Sequence, residues 1–481
     1  MNKHKIVIIG SGFSGICIGI KLKKAGIHDF IILEKASKLG GTWRENSYPG
    51  AECDIPSALY SYSFEPNPEW KHVWSKREQI FQYQLDVANK YNLMPHFRFE
   101  QTVKSAEWKG KQWLIQTQSG THEAQHFISA IGQLHELSTP QFKGSDKFNG
   151  HQFHAAKWDH SVDLSDKRVS VIGAAASAVQ LIPEVAKIAK HLTVFQRTPN
   201  WMMEKPNRSY TRFERWLSAT VPFFNKLYRG LLYLLADGVL YPALKGNKVA
   251  AWFVKFKVKR NLNKHIKDPV LKSKLTPDYA IGAKRILFSH TFYNALSRSN
   301  VDLQTEPISG IDANSIHTET GQCIETDVIV YATGFITNPF FKSIEVKGES
   351  QTLAQAWKNG AQAYLGMHTN GFPNLHMMYG PNTNLGHNSI IIMIEAQANY
   401  ICKIIRQLDK QGQSSVDVKH EAECAYNAEV QDRLNRMVFS AIETSWYMDN
   451  GKITNNWAGS TWEYRRRLDA SHSSAYNFSH D

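Results

Sequence analysis

Two segments of the sequence share one order of elements: an apolar strand, a turn of small residues, a helix and a second apolar strand. The first is KIVIIGSGFSGICIGIKLKKAG followed by DFIILEK, and the second is KRVSVIGAAASAVQLIPEVAKIA followed by HLTVFQR. Uninterrupted β-branched strands joined by helices are typical of parallel sheets that are covered on both faces. We therefore predict an α/β fold with two Rossmann-like dinucleotide-binding domains.

The first turn has the spacing G-x-G-x-x-G at Gly10, Gly12 and Gly15. The first glycine forms the turn, the second lets the backbone approach a pyrophosphate, and the third lets the helix pack against the strand. Glu34 ends the next strand, where an acidic residue accepts hydrogen bonds from ribose hydroxyls. Since the helix N-terminus also offers free N–H groups to phosphates, this unit predicts a dinucleotide site.

The second turn departs from this pattern, because Gly173 is followed by Ala175 and Ala178 in place of the second and third glycines. An alanine adds one methyl group, so a nucleotide still fits if the backbone is slightly displaced. Arg197 and Thr198 end the following strand. A guanidinium and a hydroxyl suit a ribose 2′-phosphate, whereas an acid suits a free ribose. We therefore assign NADPH to the second site and FAD to the first.

The five cysteines are scattered and form no CxxC pair. This argues against a disulfide framework, a zinc site or dithiol–disulfide reductase chemistry, and it favours a reducing cytoplasm. The apolar run Ile6–Ile20 has regularly spaced glycines and lacks a cleavage site, which argues against a signal peptide. No stretch has the roughly 18 unbroken apolar residues of a spanning helix. We expect a cytoplasmic protein without a metal site.

The order of elements predicts that the chain crosses twice between the two domains. We place the FAD-binding domain in residues 1–139 and 328–481, and the NADPH-binding domain in residues 140–200 and 278–327. Residues 201–277 are rich in Trp, Phe, Tyr and Lys at helical spacing and lack strand-like alternation. They predict a helical insertion within the second domain.

The positive charge of the chain is concentrated in that insertion. Between Lys205 and Lys267 there are fourteen Lys and Arg residues against two acids, Glu214 and Asp237. No nucleic-acid-binding module accompanies the charge, so a solvated helical face is the simplest interpretation. Because bulky aromatics alternate with the lysines, we also hypothesise weak peripheral contact with anionic membranes. The alternative is that the aromatics form the core of the insertion.

Three motifs resemble one family. GGTWRENSYPGAECD, residues Gly40–Asp54, matches the pattern G-x-W-x-x-x-x-Y-P-G-x-x-x-D of class B flavoprotein monooxygenases. FNGHQFHAAKWD, residues Phe148–Asp159, is similar at every fixed position to the signature of the Baeyer–Villiger type. YATGF, residues Tyr331–Phe335, resembles the return strand into the FAD domain. The chain looks like a compact member without the N-terminal extension of many relatives.

The resemblance implies roles for individual residues. Arg285 would stand over the flavin and stabilise negative charge on peroxide and substrate oxygens, and Asp54 would hold it in place. Lys284 would contact the NADP side. The remaining residues that the resemblance assigns to cofactor binding are Phe13, Gly41, Thr42, Trp43, Tyr60, Val103, Ser177 and Gln180. The residues assigned to a domain-linker motif that coordinates domain movement are Phe148, Gly150, His154, Trp158 and Asp159.

The resemblance also implies a reaction. The expected activity inserts one oxygen atom of O2 next to the carbonyl of a lipophilic ketone, giving an ester or lactone, at the expense of NADPH. One alternative is oxygenation at sulfur or nitrogen, and another is a non-oxygenating NADPH-dependent flavin reductase. The sequence leaves the natural substrate and the oligomeric state open. Near the C-terminus we expect a helix capped by Asn388 or Ser389, with its N-terminus aimed at the flavin.

Overall fold

The computed structural model describes residues 2–336, 338, 340–442, 447–449, 451–470 and 473–480. Two separate parallel sheets dominate the architecture, and each carries its own apolar core. The inner strands of both sheets contain the β-branched runs noted in the sequence, and the apolar residues of those runs are buried. Burial on both faces explains why these strands are apolar at every position rather than at alternate ones.

The first sheet has eight strands. Seven of them follow one another in the order Glu345–Lys347, Val103–Trp108, Trp113–Thr117, Gly120–Ser129, Asn2–Ile9, Phe30–Leu33 and Phe97–Arg98, and Leu375–Met377 also pairs with Gly120–Ser129. The Trp113–Thr117 strand is antiparallel to its neighbours, and the other pairings are parallel. The helices packed with this core include Phe13–Lys24, Arg77–Lys90 and Ile390–Gln411.

The second sheet has five parallel strands. Their order is Val301–Gln304, His191–Phe195, Arg168–Ile172, Val328–Tyr331 and His151–His154. The helices Ala176–Ile188 and Phe292–Leu296 cover it. Since Val328–Tyr331 pairs on both sides within this sheet, the return to the first sheet begins after Tyr331, later than the boundary that we expected at 327. A small antiparallel sheet joins Ile308–Ile311, Ser315–Thr318 and Cys323–Glu325.

Residues 201–277 are largely helical. The segment starts with the short strand Met202–Met203, which pairs in parallel with Leu287–Phe288. The helices that follow are Arg212–Thr220, Pro222–Leu235, the π-helical Ala236–Leu240, Tyr241–Leu244, Lys248–His265 and Pro269–Lys274. Among the described residues, no helix combines the length and the apolar character needed to cross a bilayer.

The remaining elements are short or lie in the C-terminal part. The helices are Thr42–Glu45, Leu353–Ala356, His420–Asn435 and Thr461–Asp469, and the 3-10 turns are Met94–His96, Ser145–Lys147, Ala155–Lys157, Val438–Ala441 and Ser473–Ala475. Two antiparallel ribbons pair Ser415–Val418 with Tyr476–Ser479 and Met448–Asp449 with Lys452–Ile453.

The two crossings between the sheets lie side by side. The backbone N–H of Ser138 donates to the carbonyl of Gly334 over 3.0 Å, and that of Ile336 donates to Glu136 over 2.9 Å. Leu137 and Phe335 form an antiparallel bridge between these bonds. Hinges between domains usually consist of a few loop or element-terminal residues, and both crossings are made of such residues.

The domain-linker motif is the edge of the second sheet rather than a free connection. A Cβ atom at Gly150 would lie 2.2 Å from the carbonyl oxygen of Asp327, so only glycine lets the edge strand approach. Phe148 is buried in a side cluster of the sheet, and the indole of Trp158 packs edge-on against Phe153. The Asp159 carboxylate accepts hydrogen bonds within its own turn. These four contacts stabilise the edge strand.

His154 alone in this motif contacts a crossing segment in the described part of the chain. Its register partner is Tyr331, and its ring lies 6.2 Å from that of Phe335. Nδ1 accepts a hydrogen bond from the N–H of Ala156 at 3.1 Å. Burial lowers the pKa of the imidazole, so the ring is neutral at physiological pH. A role for His154 in domain movement stays a prediction.

The second sheet also contacts the first domain through the loop Tyr48–Glu52. The Gln180 side chain, on the helix Ala176–Ile188, accepts from the Tyr48 hydroxyl at 2.9 Å and donates to the carbonyl of Glu52 at 2.9 Å. A Cβ atom at Gly50 would lie 2.4 Å from the carbonyl oxygen of Gln180. The glycine of the Y-P-G motif therefore permits direct contact between the loop and the helix backbone.

We predict that Gly50→Ala disrupts this contact. Gly50 has φ +81°, and Gly110 has φ +77° with no heavy atom within 4 Å of the point that a Cβ atom would occupy, so Gly110→Ala is a matched control for backbone strain alone. Gly110→Ala should lower the free energy of unfolding by about 1–2 kcal/mol. Gly50→Ala should lower it by at least ~2 kcal/mol more, because backbone must move. Equal losses in urea unfolding would contradict the role of Gly50.

A chain of buried histidines connects the first sheet to the C-terminus. Nδ1 of His126 lies 3.2 Å from Nε2 of His376, whose Nδ1 lies 2.8 Å from Nε2 of His368. Nδ1 of His368 lies 2.9 Å from the hydroxyl of Tyr476. Burial lowers the pKa of all three imidazoles, that of His376 to about 3, and the neighbouring His376 lowers that of His368 further. All three imidazoles are therefore neutral in the folded protein.

We predict that this histidine chain makes the fold acid-sensitive. The folded pKa values lie below the ordinary value of about 6.5, so stability is fully present above that pH and is lost as the pH falls below it. Each such histidine contributes a slope of roughly 1.4 kcal/mol per pH unit in that range. The free energy of unfolding, measured with denaturant between pH 7.5 and pH 5, should fall less steeply with decreasing pH for His376→Gln than for the unsubstituted protein. Identical slopes would show that the buried histidines do not cause the acid sensitivity.

Candidate active site

One cavity of about 2060 Å³ lies where the two sheets, the insertion and the N-terminal end of the helix Ile390–Gln411 meet. Within the described ranges, every residue predicted for catalysis or cofactor binding lines this cavity except Gly15. They are Gly10, Gly12, Phe13, Glu34, Gly41, Thr42, Trp43, Asp54, Tyr60, Val103, Gly173, Ser177, Gln180, Arg197, Thr198, Lys284 and Arg285. The five residues of the domain-linker motif do not line it.

The first glycine turn is shaped by close backbone contacts. Gly10 has φ +95°, and a Cβ atom there would lie 2.5 Å from the carbonyl oxygen of Ala130. A Cβ atom at Gly15 would lie 2.0 Å from the carbonyl oxygen of Gly10. Gly15 thus brings the helix against the turn, which explains why it lies behind the cavity wall and not on its surface.

The N-terminus of the helix Phe13–Lys24 opens into the cavity. Its N-cap is Gly12, so no side chain caps its first N–H groups. A Cβ atom at Gly41 would lie 3.2 Å from the Cα atom of Gly12, which shows how narrow the space between the two glycines is. Free N–H groups at a helix N-terminus bind anions, and the absence of side chains lets a pyrophosphate come close.

Glu34 is fixed beside this turn. The side chain is buried, and Oε2 accepts from the N–H of Ser11 at 3.1 Å and from its hydroxyl at 2.6 Å. Oε1 accepts from the N–H of Ala36 at 2.9 Å and lies 3.3 Å from the Arg44 guanidinium. These bonds hold the carboxylate in one orientation at the cavity edge, where it can accept from ribose hydroxyls.

The second glycine turn accommodates its two alanines. A Cβ atom at Gly173 would lie 2.4 Å from the carbonyl oxygen of Ala332, so this glycine is required for the same reason as Gly10. Ala175 is the N-cap of the helix Ala176–Ile188 and provides no side-chain cap. Ala178 is completely buried in the core. The helix N-terminus therefore remains open to an anion even without the second and third glycines.

Two cations lie near each other at the second site. Arg197 is exposed at the cavity rim, and burial together with the charge of Arg197 lowers the pKa of Lys284. Nζ of Lys284 lies 5.0 Å from the centre of the Tyr279 ring. Among the described residues neither cation forms an ion pair within 4.0 Å, and Asp278 offsets only part of the repulsion. A doubly charged phosphate satisfies both groups.

Arg285 faces the cavity and is held from behind. One guanidinium nitrogen lies 3.2 Å from Oδ2 of Asp54, whose side chain is 7% exposed, whereas 49% of the Arg285 side chain is accessible on the cavity side. Burial opposes the charge of Arg285, but Asp54 and then Tyr447 raise its pKa above the ordinary value. The group is therefore a permanent, oriented cation, and within the described part of the chain its side chain donates to Asp54 alone.

A buried lysine completes this network, and the sequence did not reveal it. Lys205 has no exposed side-chain surface, and its Nζ lies 2.7 Å from Oε1 of Glu52, 2.7 Å from the carbonyl oxygen of Cys53 and 3.7 Å from Oδ1 of Asp54. In the sequence analysis Lys205 was counted with the basic residues on the surface of the insertion, and that assignment is wrong. The sequence feature that could have indicated a buried cation was Glu52, a second carboxylate two residues before Asp54 in a mostly buried loop.

Tyrosines surround the guanidinium of Arg285. Burial raises the pKa values of Tyr60, Tyr379 and Tyr447, the last to about 12, while the charge of Arg285 acts in the opposite direction. The hydroxyl of Tyr60 accepts from the indole N–H of Trp43 at 3.1 Å, and that of Tyr379 donates to Asn384 at 2.7 Å. These neutral rings line the same cavity as Arg285; Tyr60 was assigned to cofactor binding from the sequence, whereas Tyr379 and Tyr447 were not assigned a role.

The helix expected near the C-terminus spans Ile390–Gln411, and Ser389 occupies its N-cap position. Neither the hydroxyl of Ser389 nor the amide of Asn388 caps its first turn, contrary to the expectation. Asn388 instead donates to Oδ1 of Asp237 at 2.8 Å, and Nε2 of His387 lies 3.2 Å from the same oxygen. The residues before the helix line the cavity, so its open N-terminus lies at the cavity wall.

The sequence of the chain is similar to known flavoprotein monooxygenases. Residues 7–222, which contain both glycine turns, match the profile of the pyridine nucleotide-disulphide oxidoreductase family. A Baeyer–Villiger monooxygenase of Streptomyces coelicolor is 42% identical over 468 residues, covering 96% of this chain and 90% of that protein. A Baeyer–Villiger monooxygenase of Pseudomonas aeruginosa is 38% identical over 477 residues, covering 97% and 90% respectively.

Solved structures agree over the whole chain. A steroid monooxygenase bound to NADP has a TM-score of 0.90 and 28% identity, and each chain covers 100% of the other. Cyclohexanone monooxygenase from Rhodococcus sp. Phi1, bound to NADP+, has a TM-score of 0.89 and 26% identity with the same coverage. The predicted fold class is confirmed. This chain belongs to the family of Baeyer–Villiger monooxygenases, as the three sequence motifs predicted.

Proposed function

We propose that this protein converts a lipophilic ketone into an ester or lactone, with Arg285 and Asp54 at the reacting centre. Ketone, O2, NADPH and H+ give ester, NADP+ and water. The bond between the carbonyl carbon and one neighbouring carbon breaks, and one oxygen atom forms new bonds to both. The other oxygen atom is reduced to water with the hydride of NADPH. The observation that carries the proposal is the Asp54-held Arg285 in the cavity that both glycine turns share.

Family membership makes the chain a flavoprotein monooxygenase that uses FAD and NADPH. Bound FAD supplies the activated oxygen after it has taken electrons from NADPH. The residues of the first turn fit FAD, since the helix N-terminus at Gly12 has no side-chain cap and Glu34 presents a carboxylate. We assign the first site to FAD on this basis.

NADPH fits the second site for a different reason. The open N-terminus at Ala175 suits the pyrophosphate, and the two cations Arg197 and Lys284 suit the 2′-phosphate. Thr198 adds a hydroxyl on the same cavity rim. We propose that these three side chains distinguish NADPH from NADH.

Arg285 would act on the oxygens that become negatively charged. As the oxygen atom joins the carbonyl carbon, charge develops on the former carbonyl oxygen, and a fixed cation stabilises it without reorganisation. Asp54 orients the guanidinium from behind, and Tyr379 and Tyr447 line the cavity with it. In a site with little water, this stabilisation is larger than at the surface.

The cavity wall favours a lipophilic substrate. The insertion contributes apolar side chains to it, namely Leu232, Leu235, Ala236, Val239, Leu240, Ala243, Leu244, Phe253 and Val254. Apolar surface of this kind binds a ketone mainly through its hydrocarbon part, whereas Arg285 is positioned to contact the carbonyl oxygen. We propose that the enzyme is cytoplasmic.

Product analysis tests the reaction class. A cyclic ketone, an aryl sulfide and no substrate should be incubated separately with enzyme, FAD, NADPH and O2, and product should be compared with NADPH consumed. Ester or lactone from the ketone supports the proposal, whereas sulfoxide alone supports heteroatom oxygenation. NADPH consumption without organic product supports the reductase alternative.

The chemistry of a dithiol reductase is disfavoured by the one cysteine among the described cavity residues, Cys53. Burial raises the pKa of its thiol to about 12, so it is not a thiolate at physiological pH.

We predict that Arg285→Ala retains FAD and NADPH oxidation but loses oxygenated product. Loss of one donor to a developing oxyanion typically lowers the rate roughly 10²–10³-fold. Arg298→Ala, an exposed arginine of the same domain, is the matched control and should leave the product unchanged. Product from Arg285→Ala within a few-fold of the unsubstituted enzyme, at equal flavin content, would exclude the assigned role.

We predict that Arg197→Ala removes most of the preference for NADPH. A charge-assisted hydrogen bond contributes about 1.5–3 kcal/mol, which corresponds to a preference of roughly ten- to hundredfold. The ratio of kcat/KM for NADPH to that for NADH should fall by that factor, with kcat/KM for NADH almost unaffected. If the ratio is retained in Arg197→Ala but lost in Lys284→Ala, the lysine reads the phosphate instead.

A further inference from the structure

The insertion carries most of the large exposed apolar side chains in the described parts of the chain. There are seventeen such side chains, and thirteen of them lie between Phe213 and Phe256. The extremes are Val249, 77% exposed, and Phe223, 70% exposed. The sequence leaves open whether these aromatics form a core, and the structure shows them on the surface. Concentrated exposure of this kind marks a surface for binding another partner.

The helix Lys248–His265 has two apolar faces. Val254 and Val258 are buried and pack with Trp201 and Ile281. Four further apolar residues are exposed, namely Val249, Trp252, Phe253 and Phe256. With 3.6 residues per turn, this second set lies about half a turn away from the first. One face therefore attaches the helix to the protein, and the other points outward.

Basic residues flank the outward face of this helix on both sides. Lys248, Lys255 and Lys259 follow one edge, and Lys257 and Lys264 follow the other, as the helical repeat requires. Lys264 pairs with Glu204, whereas the other four form no ion pair within 4.0 Å among the described residues. Nζ of Lys257 lies 4.8 Å from the centre of the Phe253 ring.

Two more helices repeat this arrangement. Pro222–Leu235 exposes a stripe with a spacing of three or four residues, formed by Phe223, Leu227, Leu231 and Leu234. Arg212–Thr220 exposes Phe213 and Trp216, whose rings stack at 5.9 Å. We call the exposed apolar residues of these three helices, with their flanking lysines and arginines, the insertion face.

The insertion face borders the cavity of the active site. Leu235, Val239 and Phe253 belong to the helices of the insertion and line the cavity, whereas Phe223, Leu227 and Trp252 are exposed and do not line it. The same helices thus form part of the outer surface and part of the cavity wall. A ketone bound at these helices would therefore lie close to apolar residues of the cavity wall.

We propose that the insertion face docks on the surface of an anionic phospholipid bilayer, and that the ketone enters the cavity from that bilayer. Exposed Trp, Phe and Leu partition into the region between headgroups and acyl chains, while lysines bind anionic headgroups. The route of the ketone depends on the proposed function, but the docking does not.

A second copy of this chain fits the insertion face less well. A symmetric dimer brings the same patch of both copies together. Each copy would then present exposed Arg212, Lys226, Lys245, Lys248 and Lys259 to the same residues of the other, at a cost in repulsion. An anionic surface removes this repulsion, and a bilayer also accepts the apolar stripes.

Co-sedimentation with vesicles tests the docking. The holoenzyme should pellet with vesicles that contain phosphatidylglycerol, less so at high salt, and little with vesicles of phosphatidylcholine alone. Lys248→Glu/Lys259→Glu and Trp252→Gln/Phe256→Gln should each lower the partition coefficient at least tenfold. None of these four residues lines the cavity, so the rate with a small water-soluble ketone should stay unchanged.

Matched controls lie elsewhere on the surface. Lys104→Glu/Lys190→Glu reverses two exposed lysines, and Ile188→Gln removes an exposed apolar residue; both should bind vesicles like the unsubstituted enzyme. Equal pelleting with both lipid compositions, or with neither, overturns the proposal. So does a dimer in lipid-free solution that Trp252→Gln/Phe256→Gln converts to monomer, because the face would then bind a second copy. Docking without any oxygenated product refutes the proposed function but not the docking.

Discussion

The ion network behind Arg285 is the interaction on which the site depends. Asp54 uses one carboxylate oxygen for Arg285 and turns the other toward Lys205, which also neutralises Glu52. Leaving such buried charges without a partner typically costs about 3–5 kcal/mol. Without Lys205, the carboxylate of Glu52 would lose its cation, and Arg285 would be the remaining cation beside Asp54. The lysine is thus a condition for the geometry of the arginine.

This network also explains why the insertion cannot be an appendage. Lys205 follows the strand Met202–Met203, and Arg285 precedes its partner strand Leu287–Phe288, so one short ribbon delivers both cations to Asp54. The entry to the insertion and the exit from it are therefore parts of the site. The loop around Asp54 is meanwhile held by Gln180 from the second sheet. Three separate segments converge on one carboxylate.

The sequence predicted what depends on local backbone chemistry. The glycine turns, Glu34, and the pair Arg285 and Asp54 were found because spacing and motif determine their positions. Lys205 was missed because its burial results from strand pairing across more than eighty residues, which no local pattern contains. The domain-linker motif was recognised, but its edge-strand pairing with Val328–Tyr331 depends on the order of strands in the sheet. For the same reason the boundary at 327 was placed too early.

Periodicity likewise does not show which face of an apolar helix is outside. The exposed stripes belong to helices that are anchored from behind. The guanidinium of Arg229 donates to the carbonyls of Ala58 at 2.8 Å and of Ser61 at 2.9 Å. Although burial opposes its charge, hydrogen bonds from His387, then from Asn388, lower the pKa of Asp237. Both ends of the segment 229–237 are thus bonded to the first domain, so the helix Pro222–Leu235 could turn its apolar stripe inward only by breaking charge-assisted hydrogen bonds. The exposure of this stripe is therefore a stable property of the fold.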